Sequence, residues 1–574
     1  MNRQRVVAFL IPALLVVVAA VVRVVLLSHP ETIVFDETYY VNDARAYLDQ
    51  GVEEGFGVHP PVGKWLIAAG IAIAGDESFG WRISGVVAGV AVALLTYLMG
   101  ARLLRWRGAA ALAGLLATVD GLLFVQSRTS MLDIFLAAFV ALGAWLLLVD
   151  HDRSRLAASP DELAPRWTAT ATGAQQLRFP IPAGGSDEDP TRTGPGPWTG
   201  TGRLPAMATA ERDVHARADG AGAAATATLG HGERRPLPRR GHALRVLAGA
   251  AFGLAVATKW SGALALVAAV LLVVGWELAW RRRCTGRALT QVGRLVGSTT
   301  LAFVLVPAAV YLLSYVPWLV NYARTTEGER VCTADDGSLT EPCHVSLPGR
   351  FAGLWRYQRS ILTFHNDLEA DHPYRAPAYT WPVMGRPVVY YWKNCDENRA
   401  RGIATRNEQG QLEDPEPCVV AQGNAAEIIA LGNPALWWVA LASLVPLGIG
   451  AALRDRRAWF ILAFWGVQAG PWMILSLPGL PFSRPLFFFY MTPVVVFLAL
   501  AATYSLVWLD EVIERHAARR GVQLSRRALT PGAVLGAVIG LAAVGLFLYF
   551  YPVHVGMELP EAAVRQRWWF RAWI

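Results

Sequence analysis

Eleven apolar stretches divide this chain, at 6–27, 82–102, 108–127, 131–149, 243–258, 260–280, 292–315, 433–453, 458–475, 486–508 and 531–551. About 20 apolar residues carry a helix across a bilayer. Backbone in lipid must satisfy its own hydrogen bonds, so such stretches predict helices. The predicted fold class is an all-α polytopic membrane protein with about eleven transmembrane helices. Composition agrees: 54% of the 574 residues are hydrophobic and 17% charged, against about 25% charged in an ordinary globular protein. A soluble multidomain enzyme, a secreted repeat protein and a disordered scaffold are excluded. The excess of Lys+Arg over Asp+Glu, 52 to 44, does not point to nucleic acid. The arginines gather at the ends of the apolar blocks, where the partner is membrane lipid.

Short basic loops stay cytoplasmic. Arg3 and Arg5, the group Arg102, Arg105 and Arg107, the run Arg281–Arg283 with Arg287, the group Arg454, Arg456 and Arg457, and the loop 509–530 fall on one side if there are eleven spans. The N-terminus is then cytoplasmic and the C-terminus external. The first span is too long for a signal-peptide core and contains Arg23, so it is read as retained.

Five segments follow from this map. Residues 1–149 hold spans one to four and a first external loop at 28–81. Residues 150–242 form a cytoplasmic insert rich in Ala, Gly, Thr, Pro and Arg, with too little apolar surface to offset ordering, and are expected to be disordered. Residues 243–315 hold spans five to seven, 316–432 a large external loop, and 433–574 the last four spans and an external tail. Cys332, Cys343, Cys395 and Cys418 all lie in the large loop, and Cys284 stands alone inside. An oxidising exterior gives this partition. Proximity in sequence favours Cys332–Cys343 and Cys395–Cys418; no CxxC or nearby His pair favours zinc.

The residues with chemistry sit at the external ends of the spans. Phe35-Asp36-Glu37-Thr38-Tyr39-Tyr40 follows the first span, and adjacent carboxylates at a membrane face are costly unless hydrated or used. A solvated helix start is the plainer reading of such a pair. The same loop continues through His59-Pro60-Pro61-Val62-Gly63-Lys64 and ends at Arg82. Asp120, Arg128 and Asp133 lie where the third and fourth spans meet, Lys259 between the fifth and sixth, and Arg484 before the tenth. Each cation alone reads as an interfacial anchor. Four of them outside, against the positive-inside tendency, suggest an anionic ligand, most simply a lipid-linked phosphate. A carboxylate and a phosphate clamp are what transfer from a lipid phosphate to a hydroxyl requires. Lys259 is also one of only three lysines, with Lys64 and Lys393.

Five blocks resemble the protein O-mannosyltransferase family: FDETYY (35–40), HPPVGKWL (59–66), DGLLFVQSRTSMLD (120–133), ATKWSG (257–262) and HPYRAPAYTWPVMGRPVVYYW (372–392). They stand in the family's order. The lack of a MIR-type β-trefoil in 316–432 is similar to the bacterial, actinobacterial branch, from which the insert at 150–242 departs. The resemblance implies a GT-C glycosyltransferase fold in a bacterial plasma membrane, with the active site external. It implies a polyprenyl phosphate mannose donor and inverting transfer to Ser or Thr of polypeptides being exported, including during Sec translocation. It implies Asp36 as general base with Glu37 orienting the acceptor or supporting Asp36; spacing does not rank the two. Arg128, Lys259, Arg82 and Arg484 would hold the donor phosphate, Asp133 would position Arg128, and Asp120, His59 and Lys64 would support the site. His372, Tyr374, Tyr379 and Trp381 would line the acceptor or sugar pocket, although interfacial belting is the default for aromatics near lipid. Apolar residues at Leu347, Phe351, Leu354, Trp355, Ile361 and Leu362 predict an amphipathic external helix, either a roof over the site or a membrane anchor. No cofactor and no metal are expected, since neutralising a lipid monophosphate suffices to make it leave.

Two alternatives remain open on sequence. A GT-C transferase could use the same donor to modify a lipid or a cell-wall glycan; the block at 372–392 favours a protein acceptor. A secondary transporter would carry inverted repeats and mid-membrane charges, and neither is evident.

Overall fold

The computed structural model describes residues 3–53, 57–104, 106–156, 242–285, 292–333, 344–369, 371–394, 405–406, 412–413, 420–480, 482–522 and 529–573. The chain divides into two compact units, Met1–Arg153 with Gly241–Ile574, and Ser154–Arg240. Nearly all of the second unit, and with it the expected disordered insert, lies outside the described residues. The insert begins later than expected, because the helix Leu132–Leu156 runs past position 149. Asp150 and Asp152 are held at its end by Arg245 and by Arg102 and Arg456.

Among the described residues, eight helices are long and apolar enough to cross a membrane: Ser78–Leu103, Leu132–Ser154, Gly262–Arg282, Val292–Ser314, Pro434–Ala452, Arg456–Leu475, Phe488–Arg519 and Pro531–Val555. The other three expected spans fall on shorter apolar helices, within Phe9–Val24, Arg107–Thr118 and Ala243–Val256. The third of the eleven is interrupted. Asp120 caps a separate short helix, Gly121–Gln126, through a bond from the Leu123 N–H. A further apolar helix, Val62–Ala74, lies within the first loop.

The helix Phe488–Arg519 is the most buried of the eight and Val292–Ser314 the least, so the first is central and the second peripheral. Helices meet closely where side chains are small. A Cβ on Gly89 would lie 2.5 Å from Ser127 Cβ and 2.8 Å from Arg23 Nε, which brings three helices together beside the buried Arg23.

The protein is not all-α. Strand β1 (Val388–Lys393) precedes a short antiparallel pair, β2 (Thr405–Arg406) and β3 (Leu412–Glu413). Strand β4 (Asn424–Ala430) then pairs antiparallel with both β1 and β5 (Glu558–Pro560), in the order β1-β4-β5. Val388 faces Ala430 and Trp392 faces Glu427; Asn424 faces Pro560. The β-branched and aromatic run Val388-Val389-Tyr390-Tyr391-Trp392 suits a strand, but its partner β4 lies well along the chain. The sheet therefore could not be read from local pattern.

Candidate functional site

Hydrogen bonds join one set of helix ends into a layer. The Asp120 carboxylate accepts from the Asn433 N–H at 3.0 Å and Trp437 Nε1 at 2.8 Å. Lys259 Nζ donates to both oxygens of Asp133, at 3.0 and 2.9 Å. Arg128 donates to the carbonyls of Arg23, Val25 and Leu26, where the first helix ends and Leu26 turns to φ +57°. These ends come from odd-numbered spans finishing and even-numbered spans starting, as a chain that crosses each time requires.

The first loop enters this layer at Phe35, which holds φ +50°. An aromatic residue rarely adopts that conformation without compensation. Its ring stacks on Tyr390 at 4.5 Å and meets Phe489 edge-on at 6.0 Å. Asp36 follows as the N-cap residue of the helix Glu37–Gln50. An Asp there usually accepts a bond from the first turn, but Asp36 makes none. Its half-buried carboxylate is turned toward Lys259 and Asp133 and bonds the Tyr40 hydroxyl one turn on. Burial lifts its pKa to about 6, with the Lys259 ammonium opposing part of that rise.

Glu37 is turned the other way. Fully buried, it accepts from Arg82 Nε and Nη2 at 2.8 and 2.9 Å and from the Val34 and Ser130 N–H groups, both at 2.9 Å. The remaining Arg82 donors go to the carbonyls of Leu27, Pro30 and Thr32. All five guanidinium N–H groups thus hold the turn before Asp36, and none is left for a phosphate. Arg128 is likewise engaged by carbonyls. Asp133, expected to position Arg128, pairs with Lys259 instead.

Lys259 is the cation turned toward Asp36, and Arg484 shares the Tyr490 ring system with it. Lys259 Nζ lies over the rings of Phe489 and Tyr490, 5.4 and 5.0 Å from their centroids. Arg484 reaches the Tyr490 hydroxyl and the His365 carbonyl at 3.4 Å each, and its buried Nε has no partner. The rings of His59 and His365 lie 5.7 Å apart beside them. Burial together with the surrounding cations pushes His59 well below the usual histidine range and His365 down to about 4. Both are therefore neutral near pH 7, and His365 Nδ1 is buried without a partner. The result is a recess with one open carboxylate, two cations and neutral imidazoles.

Lys64 stands apart from it, buried between Asp43 at 2.9 Å and Glu53. Glu53 also takes the Tyr357 hydroxyl. This cluster clamps the helix Leu347–Asp367 onto the first loop. Of the second-loop aromatics, Trp381 is fully buried against Tyr490 at 6.0 Å. His372 and Tyr374 pack on each other, and His372 packs on Phe487. Tyr379 is exposed. The four do not line one pocket.

Tyr390, Phe489, Tyr490 and His365 were not anticipated. The bulge between Val389 and Tyr391 in β1 re-aims Tyr390 into the layer, as such bulges do, where it accepts from Gln126 Nε2 at 2.6 Å. Only Tyr40 carried a signal: four residues after Asp36, it faces it on a helix. Cys332 is buried and disulfide-bonded. Cys343, Cys395 and Cys418, and so both expected pairings, lie outside the described residues. The Cys284 side chain does too. Among the described residues no group of three or more His, Cys, Asp or Glu is placed to hold a metal ion.

Fold and site together define a class: a multi-pass membrane protein with a carboxylate and a cation recess at the rim of its helices. Residues 350–573 match the model of the C-terminal four-TMM region of protein-O-mannosyltransferase. Residues 58–158 and 221–321 each match a model of dolichyl-phosphate-mannose-protein mannosyltransferase. The polyprenol-phosphate-mannose–protein mannosyltransferase of Mycobacterium tuberculosis is 29% identical over 562 residues, 95% of this chain and 88% of its own. That of Mycolicibacterium smegmatis is 28% identical, over 98% of this chain and 92% of its own. The chain belongs to the protein O-mannosyltransferase family. Its fold is that of the Saccharomyces cerevisiae protein O-mannosyltransferase Pmt1–Pmt2 complex bound to the sugar donor, with a TM-score of 0.64 at 12% identity, covering 98% of this chain and 92% of the other.

Proposed function

We propose that this protein transfers mannose from polyprenyl phosphate mannose to Ser or Thr hydroxyls of exported polypeptides, on the external face of a bacterial plasma membrane and in a GT-C frame. The observation that carries the mechanism is the division of labour between two adjacent carboxylates. Glu37 is saturated by Arg82 and two backbone N–H groups, whereas Asp36 keeps its carboxylate open, with a pKa of about 6. A base is most effective when its pKa lies near the working pH.

In this reading the acceptor oxygen attacks C1 of mannose from the face opposite the phosphate, with inversion. The C1–O bond to phosphate breaks as the new C1–O bond forms, and the hydroxyl proton passes to Asp36. Lys259 and Arg484 neutralise the departing phosphate, with Asp133 fixing the ammonium. Charge aimed where it develops stabilises the transition state more than the ground state. Arg82 and Arg128 hold the backbone of the first loop and first helix and so act on Asp36 indirectly. The aromatic group Phe35, Tyr390 and Phe489 offers a sugar ring an apolar wall.

Membranes bearing the protein, labelled polyprenyl phosphate mannose and a Ser/Thr-rich peptide give the test. Asp36→Asn is expected to lower transfer by about 10²–10⁴-fold with insertion and melting temperature unchanged. Near-normal transfer by a well-folded Asp36→Asn would remove Asp36 as the base.

A further inference from the structure

The helix Leu347–Asp367 has three faces rather than two. Leu354, Tyr357 and Ile361 are buried against the protein. On the outside, Leu347, Phe351, Trp355 and Leu362 are exposed by 61, 47, 72 and 50%. At 3.6 residues per turn these four fall within an arc of about 80°. The next arc holds Gly349, Ala352, Arg356, Ser360, Thr363 and Asp367, all but Gly349 exposed. An apolar stripe beside a polar one, both uncovered, is the pattern of a helix lying in a membrane interface.

What covers the stripe is shown by its neighbours. Arg350 Nη1 donates to the Leu319 carbonyl at 2.9 Å, and the Tyr311 hydroxyl to Gln358 Oε1 at 2.6 Å. The helix is thereby fastened to the end of the span Val292–Ser314 and the turn after it. Leu312, Leu313, Val316 and Val320 in that segment are exposed by 53, 64, 44 and 66%. The span's outward residues face lipid, and the stripe extends that surface. Arg359, exposed and in no ion pair among the described residues, borders it, placed for an anionic headgroup while its stem stays apolar.

We propose that Leu347–Asp367 is seated in the external leaflet at the boundary of headgroups and acyl chains, by Leu347, Phe351, Trp355 and Leu362, with Arg359 at the lipid phosphates. Other side chains of the same helix roof the recess. Tyr357 bonds Glu53, His365 bonds the Val58 carbonyl at 3.1 Å, and Arg484 reaches the His365 carbonyl. The bilayer surface therefore sets the height of the roof, at the level where the phosphate of a lipid-borne donor lies. That last clause rests on the donor proposed above; the seat itself does not.

The test uses the full-length protein in nanodiscs of phosphatidylglycerol and phosphatidylcholine. An environment-sensitive fluorescent amino acid replaces Trp355 in one variant and Thr363 in another. The proposal expects position 355 to emit to the blue and to be quenched several-fold more by lipids brominated along the acyl chain than by aqueous iodide. Position 363 should show the reverse. Substituting Arg359→Gln should weaken the difference between anionic and zwitterionic discs. Equal iodide quenching at 355 and 363 would overturn the proposal. So would shielding of 355 from both quenchers, since that would mean a protein partner on the stripe. Transfer to peptide is measured on the same discs; its loss with the quenching pattern kept would count against the donor reading and not against the lipid seat.

Discussion

The two ends of the helix bundle treat charge differently. The helix Leu132–Leu156 carries Asp133 at one end and Asp150 at the other, about 25 Å apart at 1.5 Å per residue. At the Asp150 end, Arg245 pairs with Asp150 at 3.0 Å and with Glu277 at 3.1 Å, all three buried. Arg457 joins Asp455 and Glu511 at 2.7 and 2.8 Å. Asp510 takes the Thr530 hydroxyl and the Gly532 N–H. Each of these charges has its complement. The Asp133 end contains equally complete sets, Glu37 with Arg82 and Lys64 with Asp43 and Glu53. Beside them, however, stand the uncapped carboxylate of Asp36, Arg484 Nε and His365 Nδ1. Buried polar groups are nearly always partnered, so Arg484 Nε and His365 Nδ1 are groups that the proposed donor would complete. Counting charges does not find a site in such a protein; finding the charges the fold leaves unsatisfied does.

The contrast can be broken from either end. Arg245→Ala should be the most destabilising change, by about 3–5 kcal/mol, because it takes the ion-pair partner from buried Asp150 and leaves Glu277 to Arg281 alone. Thermal denaturation in detergent measures this, and kcat of the surviving protein should be unchanged. Reduced kcat at normal stability would mean the Asp150 end takes part in the reaction. Arg484→Gln should raise the KM for the mannosyl lipid about tenfold, since a charged hydrogen bond is roughly twice as strong as a neutral one. The KM for peptide and the melting temperature should not move. Removal of residues 158–238 should have the smallest effect: donor and acceptor kinetics within about twofold of the intact chain, because every residue of the recess belongs to the other unit and general acid–base catalysis needs contact at hydrogen-bond range.

Much of this fold was legible in the sequence, because a bilayer admits few solutions for an apolar run. All eleven expected spans fall on apolar helices, eight of them long enough alone. The break at Asp120 was hidden, since the flanking residues are as apolar as the span. Strand β1 was hidden because its partner, β4, comes from a later segment, and β4 in turn pairs with β5 near the end of the chain. In the site, Asp36, Lys259 and Arg484 were candidates on sequence, but Arg82 and Arg128 carried the same signal. A cation at a helix end looks alike whether it meets a carbonyl or a ligand, and only geometry separates the two. The same holds for Asp36 and Glu37, whose adjacency concealed opposite surroundings. Tyr390, Phe489, Tyr490 and His365 reach the recess through tertiary contacts that leave no local pattern.

The central claim is that the open carboxylate of Asp36 is the base, and the pH dependence of kcat/KM tests it most directly. Only the ionised form accepts a proton, and burial raises the Asp36 pKa to about 6. Activity should therefore be full above that value and fall tenfold per pH unit below it, provided the protein stays folded by circular dichroism. His365, held down to about 4, should not contribute to that limb. Residual transfer by Asp36→Asn should be low and independent of pH between about 5 and 7. A wild-type profile flat down to pH 4.5, or an acid limb near 6 that persists in Asp36→Asn, would contradict the account.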